Sequence, residues 1–277
     1  MRMEERHLRN DLNVTGSRKT EGGEYHRVNI DGMAKLDGDL DCSFLSVNGT
    51  LKIYGSLVSD STTVNGMAKV EGELRTQSLD VNGTLGVLGA ARAENTNVNG
   101  MCTINGPLVS SRFRVDGMAT VKGDLSSPEF TVNGKCNVHG SVDGERIDIG
   151  GMVTIDGDVQ GETVNVQGNI KVGGLLNADS VDIRLYTSSS AREVGGERID
   201  IRRRERSGFW KALGLGGAPS FSAQLIEGDE IVLEDTEAGT VRGTRVHIGR
   251  GCNIQFVEYS GELSVDPEAK VGHSVRI

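Results

Sequence analysis

Apolar residues recur along the chain at a spacing of seventeen residues. Counting Ile30 as position 1, they occupy positions 1, 5, 7 and 11 of nine successive repeats, and position 16 of all but two, where Thr62 and Thr96 stand. Positions 5 and 7, and positions 16 and 1, are two residues apart, which is the alternation of a β-strand and not the period of a helix. Position 1 is filled in nine successive repeats by Ile30, Val47, Val64, Val81, Val98, Val115, Val132, Ile149 and Val166. The pattern predicts short strands in a regular array.

Two columns of glycine punctuate these strands. Position 3 is glycine from Gly32 to Gly168, and position 9 is glycine from Gly38 to Gly174. A glycine column marks either a turn with positive φ or a backbone approach too close for a Cβ atom. One repeat cannot bury its own apolar side chains, but stacked repeats bury them between coils. The spacing therefore predicts an all-β fold, a parallel β-solenoid with 17-residue coils.

The repeat also divides the chain into segments. We interpret residues 1–11 as a disordered charged tail and 12–29 as an irregular first coil or cap. Residues 30–201 are read as a β-helix of nine regular coils and one degenerate coil, and 202–220 as a basic and aromatic excursion. Residues 221–277 are read as the continuation of the β-helix, with Ile231, Ile248 and Val265 resuming position 1 and an uncapped C-terminal end. We expect one rod with a surface excursion.

Composition narrows the class of partner. The chain has 277 residues and a formal net charge of -9, which argues against nucleic-acid binding because phosphate backbones are held by clustered Lys and Arg. The N-terminal sequence has no apolar core typical of a signal peptide, and no apolar run is long enough to span a bilayer. We therefore expect a cytoplasmic protein.

The residues that usually carry chemistry do not form a site. Cys102, Cys136 and Cys252 fall at inward position 5, and Cys42 falls at position 13. Two coils separate Cys102 from Cys136, about 9.6 Å, which is too far for a disulfide. The five histidines share no spacing that would bring three metal ligands together. We expect no enzyme activity, no metal and no cofactor.

The period of seventeen, the segment "GGEYHRVNIDGMAKLDGDLDC" at 22–42 and the closing "TVRGTRVHIGRGCNIQFVEYSGELSVDPEAKVG" resemble the bactofilins of Gram-positive bacteria, the longer type. Bactofilins are bacterial polymer-forming cytoskeletal proteins. The resemblance implies a single-stranded, right-handed parallel β-helix that assembles end to end into filaments without nucleotide. It also implies a scaffold that positions cell-envelope, shape or motility factors, with itself, a paralogous filament protein or an envelope client as partner. The alternative is a non-polymerising β-helix adaptor that binds a protein along one face.

Two sets of candidate contact residues follow. A solenoid edge is a template for another strand, so the terminal coils are the candidate polymerisation interface. These residues are Val265, Ala269, Val271, Val275, Ile277, Ile30, Leu36 and Leu40.

The second set is the excursion, where four arginines run into aromatic and aliphatic residues. Such a segment is typical of a membrane interface, here the inner face of the cell membrane. The candidates are Arg202, Arg203, Arg204, Arg206, Phe209, Trp210, Leu213 and Leu215. The alternative is that Phe209 and Trp210 fold back over the degenerate coil.

Methionine recurs at position 4, in Met33, Met67, Met101, Met118 and Met152. The sequence leaves open whether these side chains form an outward apolar stripe for a partner or lie against a corner of the coil.

Overall fold

The computed structural model describes residues 9–204 and 219–277. These residues divide into two compact units, one ending at Gly140 and one beginning at Ser141. All regular structure in the described ranges is β-strand, and neighbouring strands within each unit pair in parallel. The predicted parallel β-solenoid is confirmed.

The first unit contains fifteen strands. They are β1 Leu12–Val14, β2 Ser17–Ile30, β3 Met33–Val47, β4 Thr50–Ile53, β5 Leu57–Val64, β6 Met67–Val70, β7 Leu74–Val81, β8 Thr84–Val87, β9 Ala91–Val98, β10 Met101–Ile104, β11 Leu108–Val115, β12 Met118–Val121, β13 Leu125–Ser126, β14 Glu129–Val132 and β15 Lys135–Val138.

The second unit contains ten strands in its described residues. They are β16 Val142–Asp143, β17 Arg146–Ile149, β18 Met152–Ile155, β19 Val159–Val166, β20 Asn169–Leu185, β21 Ser189–Arg203, β22 Phe221–Leu233, β23 Thr236–Ile248, β24 Asn253–Val265 and β25 Lys270–Arg276.

The repeat positions of the first unit stack in register. Residues at position 1 pair in an unbroken column from Val14 through Ile30 to Val132. The column residues are buried, and the four-residue strands β4, β6, β8, β10 and β12 alternate outward and buried side chains. Equivalent side chains of successive coils therefore form the core.

The first coil is a residue shorter than those that follow. Val14 pairs with Ile30, and Arg18 pairs with Ala34, both sixteen residues apart. The register moves to seventeen between Glu21 and Gly23. Arg18 stands in the inward column but is exposed, so the coil places polar side chains over the apolar residues of the next one.

The degenerate coil is also paired on both sides. Ile183 pairs with Ile201, which pairs with Leu233 of β22. Ser189, Ala191 and Val194 of this coil are buried. The side chains at its core positions are small, and the coil is stacked between β20 and β22.

The register after the excursion differs from the sequence expectation. Ile248 pairs with Leu233, and Ile231 pairs with Val246. Leu233, not Ile231, therefore occupies position 1, and the prediction is wrong at Ile231. The coil from Leu233 to Ile248 has fifteen residues. Both Ile231 and Leu233 are buried, so the apolar pattern of the sequence alone does not distinguish between them.

Candidate interaction surfaces

The last described strand, β25, has a partner on one side. It pairs with β24, in which Ile254 faces Val271 across the strands. Ile254 is buried and extends the inward column of Ala238, whereas Val271 is half-buried. Among the described residues, the strand that pairs with β25 is β24. Val271 is therefore the inward side chain of a strand that has β24 as its partner among the described residues.

The remaining C-terminal candidates differ in exposure. Ala269 is half-buried, while Val265 and Ile277 are exposed. Val275 pairs with Glu258, which belongs to an outward column with Arg242 and Glu227. The residue beneath the buried Val257 is Ser274. The assignment of Val275 to the inward face is therefore corrected. In the last two coils the inward residue comes nine residues after position 1, at Val257 after Ile248 and at Ser274 after Val265, whereas in the regular coils of the first unit it comes ten residues after.

The three N-terminal candidates lie inside the fold. Ile30, Leu36 and Leu40 are no more than 1% exposed. They pair with residues of the first coil on one side and with the third coil on the other. Their assignment to an exposed edge is corrected, because residues 12–28 form a paired coil that covers them. The residues over Leu36 on that side belong to the polar stretch around Thr20.

Three of the eight excursion candidates fall within the described residues, and each has a partner in the chain. Arg202 pairs with Asp200 at 2.8 Å, and Arg203 lies 3.7 Å from Asp235. The guanidinium of Arg204 lies over the ring of Tyr186, 4.7 Å from its centroid. These contacts partly balance the positive charge expected to attract lipid headgroups. Arg206, Phe209, Trp210, Leu213 and Leu215 lie outside the described residues.

Asp200 belongs to a wider ionic network at this corner. Arg184 contacts Asp182 at 2.6 Å and Asp200 at 2.7 Å. Burial raises the pKa of Asp182, and the neighbouring Asp200 raises it further. The arginines hold two carboxylates that stand side by side in adjacent coils. The corner from which the excursion leaves is thus fixed by ion pairs.

The methionines at position 4 point outward. Met33, Met67, Met101, Met118 and Met152 are between 44% and 55% exposed. The first four share one surface column of the first unit, interleaved with Thr50 and Thr84. The alternative left open by the sequence is resolved in favour of the outward stripe.

The cysteines behave as core residues. All four are buried and free of disulfides. Cys102 and Cys136 both pair with Ala119, so they stand two coils apart as expected. Burial raises the pKa of each of these thiols to about 12. A thiol that stays protonated is a poor nucleophile and a poor metal ligand.

A further polar feature of the described ranges is a cleft whose charged residues form ion pairs. A cleft of about 690 Å³ in the second unit is lined by glycines and charged residues, among them Glu227 and Arg242. These two form an ion pair at 3.3 Å, and Arg242 also contacts Glu258.

Within the described ranges no three His, Cys, Asp or Glu residues converge as metal ligands. The same ranges contain no helix with the length and apolarity needed to cross a bilayer.

Two curated proteins of Bacillus subtilis strain 168 are similar to part of the chain. Uncharacterized protein YhbE is 44% identical over 89 residues, which are 32% of this chain and 37% of YhbE. Uncharacterized protein YhbF is 37% identical over 89 residues, 32% of this chain and 35% of YhbF. The chain thus matches about a third of the length of each relative. No model of a protein family matches it, and no solved structure does.

Proposed function

We propose that the protein is a non-enzymatic structural scaffold that assembles end to end, without nucleotide, into filaments. The bactofilin resemblance of the repeat motivates the proposal, and the solenoid fold is compatible with it. In this role the filament positions cell-envelope, shape or motility factors on its sides. Its partners are further copies of itself, a paralogous filament protein or an envelope client, in the cytoplasm and at the inner face of the membrane.

The observation that carries the proposal is the interchangeability of the coils. From Val47 to Val132, each coil pairs with the next in the same seventeen-residue register. An edge strand with unpaired backbone groups and an apolar inward side chain offers a second copy the same pairing. Val271 on β25 is such a position.

The test compares two arginine substitutions on the same strand. Val271→Arg places a charge on the inward column, where a docking coil would have to bury it unpaired. Val275→Arg places the same charge in the outward column beside Glu258, next to Arg242. We expect negative-stain electron microscopy to show filaments for the parent chain and for Val275→Arg, and short particles for Val271→Arg.

Circular dichroism and thermal unfolding of both variants control for folding. Filaments of unchanged length from a folded Val271→Arg variant would refute assembly through this edge. Single particles of the parent chain at every concentration would favour the alternative, an adaptor that binds a protein along one face without polymerising.

A further inference from the structure

Apart from Arg18, the two kinds of basic residue occupy different faces of the first unit. All six lysines of its described residues lie on the outward face made by positions 4 to 8 of the coils. They are Lys19, Lys35, Lys52, Lys69, Lys122 and Lys135. The arginines of the later coils, Arg75, Arg92, Arg112 and Arg114, lie on the strands of the other sides. We refer to the surface of positions 4 to 8 in residues 17–139 as the lysine face.

The lysine face carries more cations than anions. Its carboxylates are Glu21, Asp37 and Glu71, against six lysines, in a chain whose net charge is -9. Lys19 pairs with Asp37 at 2.8 Å, and Lys52 pairs with Glu71 at 2.9 Å. Among the described ion pairs, none involves Lys35, Lys122 or Lys135.

Carboxylates on the flanking corners are engaged elsewhere. Asp39 accepts a hydrogen bond from the backbone N–H of Ser56 at 2.7 Å. Glu73 pairs with Arg75 on the next side of the coil, and Asp116 pairs with Arg114. These acidic groups are thereby held by partners outside the lysine face.

Apolar side chains stand between the lysines. Met67 is 55% exposed, Met118 is 48% exposed and Leu88 is 43% exposed. The strands of this face pair without a register shift from Met33 to Lys135, so these side chains form straight columns. The outward side chains of β8 and β10 include no charged group. The result is a continuous sheet surface with soft apolar side chains inside a basic border.

We propose that the lysine face docks on an anionic lipid surface. Lysine heads are compact charges on flexible stems that reach headgroups at different heights, and methionine and leucine side chains enter the interface. A sheet of parallel columns presents these groups together to a plane, which suits a bilayer better than a partner that inserts a side chain into a pocket. The proposal does not depend on self-assembly, and it assigns membrane contact to a surface other than the excursion.

The experiment is vesicle flotation with the full chain. The probes are phosphatidylcholine vesicles and phosphatidylcholine vesicles that contain phosphatidylglycerol, at low and at high salt. We expect the parent chain to float only with the anionic vesicles and to be released by salt, because surface attraction is screened within a Debye length.

Two triple variants remove the same charge from different faces. Lys35→Gln, Lys122→Gln and Lys135→Gln together should weaken partition to anionic vesicles by about a hundredfold, since each lysine near such a surface contributes roughly a factor of five. The control, Arg75→Gln, Arg92→Gln and Arg112→Gln together, should partition within a few-fold of the parent. Circular dichroism verifies that both variants fold.

A third variant separates this surface from the excursion. Trp210→Ala should float like the parent. Absence of parental flotation at low salt, equal losses in both triple variants, or loss in Trp210→Ala with retention in the lysine variant would each overturn the proposal. Electron microscopy of the same samples records assembly separately, so a failure of filament formation is distinguishable from a failure of membrane docking.

Discussion

The glycine column at position 3 is required by close approach of the backbone. A Cβ atom built on Gly66 would collide with the carbonyl oxygen of Gly49, and one built on Gly83 would collide with that of Gly66. None of these glycines has positive φ, so their conformation alone does not require glycine. The backbone N–H of Gly66 donates to the carbonyl of Val47 at 2.9 Å, which holds the coils at this separation. Glycine is needed here because adjacent corners pack backbone on backbone.

Two alanine substitutions distinguish this cause from a general cost of changing glycine. Gly66→Ala should destabilise the fold by more than about 2 kcal/mol, because the clashing atoms are backbone and cannot move aside. Gly86→Ala is the matched control: it lies outward in β8, and its Cβ meets nothing within 4 Å. It should be neutral or stabilising by about 0.5 kcal/mol, because glycine loses more chain entropy on folding. Urea unfolding measures both, and equal losses would contradict the close-approach explanation.

Buried thiols make stability depend on pH in the alkaline range. The pKa of Cys102 and of Cys136 rises from 9.0 to about 12 on burial. Because the folded pKa is raised, the contribution is fully present below pH 9 and is lost as the pH rises toward about 12. The double variant Cys102→Ala, Cys136→Ala should lose stability less steeply over this window than the parent, whatever its stability at neutral pH. Urea midpoints measured across the window give the slopes, and parallel slopes would show that the thiols do not contribute.

At the scale of the strand, the buried threonines that interrupt position 16 occur beside other hydroxyl groups. Thr62 interrupts the apolar column at position 16 and is fully buried. Its hydroxyl lies 2.7 Å from that of Ser59, which also donates to Thr76 at 3.0 Å. Two coils later, Thr96 and Ser110 lie 3.1 Å apart. Both threonines at position 16 therefore have a hydroxyl partner, as burial of polar groups requires.

Asparagines at position 2 form a ladder along one corner of the first unit. The amide of Asn65 donates to Asn48 at 2.9 Å and accepts from Asn82 at 2.9 Å. Aspartate occurs where the ladder starts: Asp31 accepts from Asn48, and Asp116 accepts from Asn133. A carboxylate accepts but cannot donate, so Asp116 ends the run that reaches Asn99 and pairs with Arg114 instead. The Arg114 guanidinium and the Asn133 amide hold the pKa of Asp116 below its usual range.

A carboxylate in the middle of the ladder should break it. Asn65→Asp removes the donor to Asn48 while keeping the acceptor for Asn82. We expect a loss of about 1 kcal/mol at neutral pH, the typical value of one hydrogen bond, and partial recovery at acidic pH when the carboxyl regains a proton to donate. Thermal unfolding at both pH values measures this. The same loss at acidic and neutral pH would indicate that the ladder is not the cause.

The fold was predictable from the sequence because it depends on periodic positions. The orientation of residues near the C-terminal edge was not predictable, because it depends on the lengths of individual coils. Alternation around Val47 identifies strands, and the strict seventeen-residue step predicts a stack. The assignment failed at Ile231, where a fifteen-residue coil contains a second apolar residue two positions later. Val275 was misplaced because the inward residue of the last coils comes one position earlier, at Val257 and Ser274. Segregation of lysine from arginine was visible in the sequence, but it gains meaning only when the columns are known to face different sides.

For the molecule as a whole, the structure predicts that stability depends on register more than on the number of coils. In the first unit, Gly66 stacks on Gly49 and beneath Gly83, and Met67 pairs with Thr84, which follows Gly83 in the next coil. A chain lacking residues 67–83 would join Gly66 directly to Thr84 and restore the pairing that Met67 makes. It should fold, with a loss of about one coil's share of buried apolar surface.

Deletion of residues 67–82 is the control, since it removes one residue fewer and leaves Gly83 as an extra residue in the strand. Because side chains alternate between the two faces, that slip would turn Leu85 and Val87 outward and expose the core of the coil. We expect a cooperative unfolding transition with native circular dichroism for the seventeen-residue deletion, and a broad or absent transition for the sixteen-residue deletion. In the described residues of the first unit, the pairing departs from the seventeen-residue step only in the first coil, where it changes between Glu21 and Gly23 and the residues that would face the core are polar. Equal stability of the two deletions would mean that the coils adjust their register freely, and it would remove the structural basis for end-to-end assembly through interchangeable coils.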